Sequence, residues 1–335
     1  MHNSARIVLV VAVTAISACG PRSDEPASNE VNMSNPITNP FASLPADPPV
    51  APKRPVEIEQ HGVTRIDNYG WMRDENWQEV LRDPGELDGD IREHLEAENA
   101  YYEAATGDLE KLREQLFEEM RGRIKEDDST VPAPDGDFAY AVRFRDGGEY
   151  PIFVRTPRHG GDETILYDGD LEGAGEDFFR IAAVDHSPNH ELIAYGVDRL
   201  GSEYYDIRIR TIETGEEFEE TIPSTGGSVV WAADSKSFYY VERDDNQRPK
   251  RVKHHVVGAD SADDRLVYEE PDDSYFLGID KSQSGQYIFI GVRKGTSSEY
   301  RYLAADAEPG TQPVLIAPRL EDELYSVEHL SLIHI

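Results

Sequence analysis

A weak internal repeat in the second part of the chain restricts the fold more than any other feature of the sequence. After Pro132 the hydrophobic pattern has a period of two, and short runs rich in Tyr, Phe, Ile and Val alternate with turn-forming residues. The same turn-plus-strand unit recurs at 135–140, 189–194, 234–239 and 284–289. The units begin 45 to 54 residues apart, and such a spacing with several strands per unit is typical of propeller blades. The sequence therefore predicts an all-β propeller with about four blades over residues 131–330.

A second marker supports the repeat. An acidic–aromatic pair stands shortly after three of the units, at Glu149-Tyr150, Glu203-Tyr204 and Glu299-Tyr300, where we expect the next strand to open. An all-β sandwich would also contain short strands, but its turns and strands would not carry two markers in step. The two markers together favour the propeller over the sandwich.

The pattern before the propeller is helical. Between about 86 and 125, apolar residues recur at spacings of three and four, namely Ile91, Leu95, Leu109, Leu112, Leu116, Met120 and Ile124. Gly107 interrupts the run and Asp108 is a suitable N-cap, so two helices are predicted. Their dense Glu, Lys and Arg residues indicate a solvated face. Residues 55–130 form this N-terminal helical segment.

The first 19 residues have the pattern of a bacterial lipoprotein signal. An apolar run at 7–13, too short to cross a bilayer, is followed by small residues and then by Cys19, the single cysteine of the chain. This pattern predicts lipidation of Cys19, and Gly20 after it favours the outer membrane, on the periplasmic side. Residues 20–54 are rich in Pro, Ser, Asn and Asp and predict a flexible linker.

The charge balance excludes one class of partner. The chain has 66 acidic and 33 basic side chains, which gives a net charge of −33. Such a surface repels phosphate, so no nucleic-acid partner is expected. The excess of carboxylates serves solubility, or alternatively steers basic peptides towards the protein.

No catalytic or metal-binding pattern is evident in the sequence. The nucleophile elbow G-x-S-x-G is absent, and the nearest string, 226–230, lacks the final glycine. His254 and His255 point to opposite faces of a strand and so do not share a metal ion. The other histidines considered have no ligand spacing; they are His61, His94, His159, His186 and His190. We therefore expect no metal and no cofactor.

Several short motifs follow one another along the chain, beginning with RIDNYGWMRD at 65–74 and LEAENAY at 95–101. They resemble the entry motif and the first helix of the oligopeptidase B type within the prolyl oligopeptidase family. The resemblance continues through 229–234, Arg248-Pro249 with His255, 266–270, Ser282 and Ser284-Gly285. It covers about 55–330, and motifs in this order are more specific than any one alone.

The resemblance implies a function that this chain alone does not contain. Family members have a seven-bladed propeller, whereas about four blades are present here, and an α/β-hydrolase domain that residues 55–130 would brace. The catalytic Ser, Asp and His would lie beyond residue 335, so no catalytic residue is assigned. The implied activity is hydrolysis of short peptides after Lys or Arg, with the propeller restricting entry. Residues 331–335 do not resemble the family, which predicts a truncated gene model or a foreign tail.

An alternative interpretation rests on the absence of a catalytic nucleophile from the sequence. The chain would then be a lipid-anchored propeller that binds a partner without catalysis. The segment from Arg65 to Lys125 argues against this alternative, because a free-standing propeller has no use for it. An incomplete ring of blades leaves apolar faces and strand edges open, so we expect the isolated chain to be aggregation-prone or marginally stable.

Overall fold

The computed structural model of the chain describes residues 47–330. The predicted signal 1–19 with Cys19, the first part of the predicted linker 20–54, and the predicted tail 331–335 lie outside the described residues. No helix among residues 47–330 is both long and apolar enough to cross a membrane.

The N-terminal segment begins with a hairpin and continues as three helices. Its elements are β1 (Val56–Gln60), β2 (Val63–Asp67), α1 (Trp77–Arg82), α2 (Gly89–Thr106) and α3 (Glu110–Arg121). Sequence analysis did not predict the hairpin, although two five-residue runs separated by His61-Gly62 are a signal for one. Both turn residues have a positive φ, 55° and 74°, as a tight hairpin turn requires.

The predicted break between two helices is confirmed, but the predicted cap is wrong. Gly107 ends α2, and a single 3-10 turn, Gly107–Leu109, joins it to α3. Asp108 lies inside that turn, and Leu109 occupies the N-cap position without a side-chain hydrogen bond. Because the 3-10 turn runs directly into α3, Asp108 lies before the N-cap position. It is too far from the unpaired N–H groups in the first turn of α3 to bond with them.

The last residues of the predicted linker pack against the N-terminal segment. The indole Nε1 of Trp71 donates a hydrogen bond to the carbonyl of Pro52 at 2.9 Å. The guanidinium of Arg54 lies 4.3 Å from the centre of the Trp71 ring and pairs with Asp90. The ordered N-terminal segment therefore starts a few residues before the predicted boundary at 55.

The rest of the described chain consists of four antiparallel blades, in agreement with the prediction. Blade 1 contains β3 (Ala133–Asp135), β4 (Phe138–Arg143), β5 (Ile152–Pro157) and β6 (Thr164–Asp168), followed by the short helix α4 (Gly169–Glu172). Blade 2 contains β7 (Arg180–His186), β8 (Leu192–Asp198), β9 (Tyr205–Thr211) and the first part of β10 (Ile222–Trp231). Blade 3 contains the second part of β10, β11 (Ser237–Arg243), β12 (Pro249–Val256) and β13 (Arg265–Glu269). Blade 4 contains β14 (Phe276–Lys281), β15 (Tyr287–Lys294), β16 (Ser297–Ala304) and β17 (Val314–Ala317).

Strand β10 belongs to two blades. It pairs with β9 at Ile222 and Thr225, and with β11 from Thr225 to Trp231, with shifts of register in between. The bulge turns the strand out of one sheet and into the next. The outermost strand of blade 2 thus continues directly as the innermost strand of blade 3.

The four predicted turn units occupy one position in the fold. Each lies at the turn between the first and second strands of a blade, and the second residue of each unit has a left-handed backbone. These residues are Gly136 (φ 53°), His190 (φ 62°), Ser235 (φ 58°) and Gly285 (φ 70°). The predicted Glu-Tyr marker precedes the third strand in blades 1 and 2, but in blade 4 Glu299-Tyr300 lies within β16.

The hydrophobic core is divided among the contacts between successive blades. Ile193 and Tyr195 of blade 2 pack with Leu166 and Tyr167 of blade 1. A second cluster, with Trp231, joins blades 2 and 3, and a third joins blades 3 and 4. Successive blades therefore pack face to face as in a propeller, while none of these three clusters of the described chain joins blade 4 to blade 1.

Candidate functional site

The innermost strands of the four blades border one cavity of about 370 Å³. Because these strands converge on the propeller axis, the cavity belongs to the central channel. Its polar wall includes Asp135, Asp185, His186, Ser228, Asp280 and Lys281. Carboxylates outnumber basic groups in this wall.

Asp185 carries the most perturbed carboxylate of the cavity. Burial raises its pKa to about 6, although a hydrogen bond from the backbone N–H of Val229 acts in the opposite direction. That bond is 3.1 Å long, and the carbonyl of Asp185 accepts a second one from the Trp231 indole at 3.0 Å. One bond therefore holds the carboxylate and the other holds the backbone of Asp185, and the charge of the side chain develops as the pH rises through about 6.

The neighbouring titratable groups respond to the same burial. The pKa of Asp280 is raised, first by burial and then by the charge of Glu328. Burial lowers the pKa of Lys281 and of His186, and in both cases the Asp135 carboxylate opposes the effect. A cavity with this wall attracts cationic groups at neutral pH.

The string closest to a nucleophile elbow lies in the wall of this cavity. Residues 226–230 form the bulged part of β10, whereas an elbow requires a sharp turn from a strand into a helix. Within residues 47–330, no hydrogen bond links Ser228 to a histidine. Gly227 of this string has a packing role instead, since it has a φ of 85° and lies against the backbone of Gly196 on β8 of blade 2.

The histidines considered in the sequence lie in several parts of the fold. His61 is in the turn between β1 and β2, His94 is on α2 and His159 is in the loop after β5. The other four form two pairs. His254 and His255 are buried on β12 and face different partners, the rings of Tyr239 and Phe238, as predicted. His186 and His190, by contrast, meet Asp135 of blade 1. Their sequence spacing gave no signal for this, because the contact joins two blades.

The third helix presents an apolar face to solvent. On α3 and the turn after it, large apolar side chains are exposed in the described chain, at 47% for Leu116, 50% for Leu112, 59% for Phe117, 65% for Met120 and 67% for Ile124. The sequence predicted the helical spacing of four of them. An uncovered row of this size marks a contact surface, and we call these five residues the α3 apolar face.

The helical segment is also attached to the propeller. Arg82 at the end of α1 forms an ion pair with Asp245 at 2.8 Å, in the turn between β11 and β12. Its guanidinium lies 5.0 Å from the centre of the Tyr204 ring in blade 2. Tyr204 in turn donates a hydrogen bond to the carbonyl of Asp244 at 2.8 Å. The end of α1 is thereby anchored to blades 2 and 3.

Comparison with known proteins agrees with this architecture. Residues 48–333 match the family description "Prolyl oligopeptidase, N-terminal beta-propeller domain". The chain is 35% identical over 317 residues to dipeptidyl aminopeptidase BI of Pseudoxanthomonas mexicana, covering 90% of this chain and 42% of that protein. It is 31% identical over 291 residues to protease 2 of Moraxella lacunata, covering 84% of this chain and 40% of that protein.

Solved structures give the same result. Oligopeptidase B from Leishmania major superposes with a TM-score of 0.77 at 26% identity, covering 85% of this chain and 41% of that one. Oligopeptidase B from Trypanosoma brucei, with covalently bound antipain in a closed form, gives 0.74 at 27% identity, covering 84% and 41%. The chain spans about two fifths of the length of these relatives. It therefore belongs to the prolyl oligopeptidase family of serine peptidases, of which it contains the N-terminal propeller region.

Proposed function

We propose that this chain is the propeller-bearing front part of a serine oligopeptidase of the oligopeptidase B type, which hydrolyses short peptides after Lys or Arg. The observation that carries the proposal is the match of residues 48–333 to the family's propeller domain. The α3 apolar face provides a surface against which a hydrolase domain would pack. The propeller would restrict entry to short, flexible peptides.

The acidic cavity supports the basic preference. Asp185, with a pKa of about 6, is ionised at neutral pH, and the excess of carboxylates in the wall favours cationic side chains. The remaining chemistry belongs to the catalytic domain. There a serine activated by histidine attacks the carbonyl, and backbone N–H groups stabilise the oxyanion.

A second candidate activity is the release of dipeptides from a free N-terminus. It is favoured by the 35% identity to a dipeptidyl aminopeptidase over 90% of the chain. The two candidates differ in one requirement, because an aminopeptidase needs the free α-amino group of its substrate. The binding module without catalysis is disfavoured, since the helical segment with its uncovered apolar face has no role in it.

The chain joined to its downstream hydrolase domain allows the activities to be separated. We expect an N-blocked peptide ending in an arginine or lysine chromogenic amide to be cleaved with a kcat/KM at least about a hundredfold above the alanine analogue, because a carboxylate that pairs with the basic group is left unpaired by alanine. Cleavage of the unblocked dipeptide amide alone would support the aminopeptidase instead. Equal rates for arginine and alanine would contradict the basic preference.

We further propose that Cys19 is lipidated and holds the protein on the periplasmic side of a bacterial outer membrane. The support is the apolar run before it and its position as the single cysteine. Replacing Cys19 with serine should move the protein from the membrane fraction to the soluble fraction after cell lysis, because the acyl anchor is lost. Replacement of Ser28 with alanine, in the predicted linker beyond the signal, should leave the processing cysteine and the distribution unchanged. A Cys19→Ser protein that still sediments with membranes would contradict the anchor.

A further inference from the structure

Three side chains from two blades converge at the rim of the central cavity. Asp135 is the last residue of β3 in blade 1, His186 is the last residue of β7 in blade 2, and His190 lies in the turn that follows. One ligand atom from each lies within 4.8 Å of the other two. The His186 Nε2 atom and the Asp135 carboxylate are already 2.9 Å apart.

The ring of His190 is fixed by its neighbours. Its Nδ1 atom is 2.7 Å from the hydroxyl of Tyr140, and the ring packs 5.3 Å from the centre of the Phe138 ring. The Nε2 atom lies against the Asp135-Gly136 turn, where a Cβ on Gly136 would come within 2.4 Å of it. Glycine at 136 thus leaves the space next to this nitrogen open.

His190 differs from the residues at the same position in the other three blades. In the corresponding turns, glycine stands in blades 1 and 4 and serine in blade 3, all with a left-handed backbone like that of His190. Histidine is one of the non-glycine residues that adopt this conformation more often than most. The residue that differs from its counterparts in the other blades is the one that contacts blade 1.

The donor set determines which ion would bind. Two imidazoles and one carboxylate suit Zn²⁺ and related transition-metal ions, whereas Ca²⁺ and Mg²⁺ prefer oxygen ligands alone. Zinc bonds of about 2.1 Å in a tetrahedron place the ligand atoms about 3.4 Å apart. Small side-chain rotations would bring the three atoms to that spacing, because Asp135 is at a strand end with 62% of its side chain exposed.

We propose that Asp135, His186 and His190 form a site for a divalent transition-metal ion of the Zn²⁺ type, which links blade 1 to blade 2 at the rim of the channel. Water from the cavity supplies the fourth ligand. The Tyr140 hydroxyl is the outer partner that orients His190, as hydrogen-bonded groups do for metal-binding histidines. The ion replaces the Asp135–His186 hydrogen bond by coordination to both residues and so adds stability to the contact between the blades.

The site is tested by zinc titration of the 335-residue chain, with Cys19 replaced by serine in every sample so that no thiol competes. Millimolar Mg²⁺ in the buffer occupies the exposed carboxylates of this acidic protein. We expect one Zn²⁺ per chain by calorimetry at neutral pH, and a rise in melting temperature with zinc. Asp135→Asn should weaken the affinity at least about tenfold and abolish the thermal shift, because it removes the anionic ligand.

The matched control is Asp137→Asn, which removes the same charge from an exposed position of the same turn. It should bind zinc as the parent chain does. Equal affinity in the Asp135→Asn and Asp137→Asn chains would overturn the proposal, as would the absence of saturable binding to the parent chain. His190→Gln provides a second variant, in which loss of zinc binding is again expected while the circular-dichroism spectrum stays unchanged.

Discussion

The 335-residue chain, purified alone, is expected to release no product from peptides that end in Arg or Lys linked to a chromogenic amide. Its sequence has no nucleophile elbow, and the string closest to one forms a bulged strand in the propeller. Without the catalytic serine, an oxyanion hole and a binding pocket still give about a thousandfold acceleration over water. The chain should lack even this, because we assign both features to the hydrolase domain.

The measurement compares this chain with the same chain joined to the hydrolase domain that we propose follows it. We expect kcat/KM to differ by at least about a thousandfold, and only the longer protein should react with a fluorophosphonate probe. Labelling of the 335-residue chain at any serine would show that it contains a nucleophile. An inactive, unlabelled longer protein that is correctly folded would instead favour the binding module.

The α3 apolar face allows a second test, which concerns the contact with the proposed hydrolase domain. In the longer protein, Leu116→Glu should lower activity by more than about tenfold, since it would bury a carboxylate in the contact with the hydrolase domain. In the 335-residue chain the same change should leave the fold intact and reduce aggregation, because Leu116 is exposed there. Lys111→Glu, on the other side of α3, is the control and should keep the activity.

Much of the propeller was predictable because each blade repeats a local pattern. The turn units at 135–140 and 284–289, for example, combine a turn-forming residue with a strand whose side chains alternate between two faces. The two helices around Gly107 were predictable for the same reason, as their apolar spacing is local. The position of the cap was not, because it depends on whether the linking turn continues the helix.

The contacts between side chains of different blades could not be predicted from the sequence. Asp135 and His186 are separated by 51 positions, and neither stands at a known ligand spacing. The alignment of the turn units did place His190 in register with Gly136, which identified both as turn residues. It could not show that the histidine ring folds back onto the neighbouring blade, since that depends on how the two sheets pack.

The close approach of Gly196 and Gly227 leads to the largest expected effect on stability. A Cβ on Gly196, in the middle of β8, would lie 2.1 Å from the carbonyl oxygen and 2.4 Å from the Cα of Gly227. Both are backbone atoms, and β8 is held by pairing with β7 and β9 on its two sides. The bulge at Gly227 is fixed as well, by Thr225, which accepts its N–H at 3.0 Å and bonds to the carbonyl of Tyr205 at 2.8 Å.

Gly196→Ala should therefore force blade 2 away from the start of blade 3 and lower the free energy of unfolding by about 3 kcal/mol or more, at the upper end of what overpacking causes. Urea unfolding followed by tryptophan fluorescence measures the change, because Trp231 lies at the end of the same strand, β10. The matched control is Gly278→Ala on β14, where no atom lies within 4 Å of the added Cβ. Alanine there should change stability by less than about 1 kcal/mol, since the only differences are chain entropy and strand propensity. Equal stability of the Gly196→Ala and Gly278→Ala chains would mean that the blades can separate at this point without cost. The close backbone contact between Gly196 and Gly227 would then be wrong.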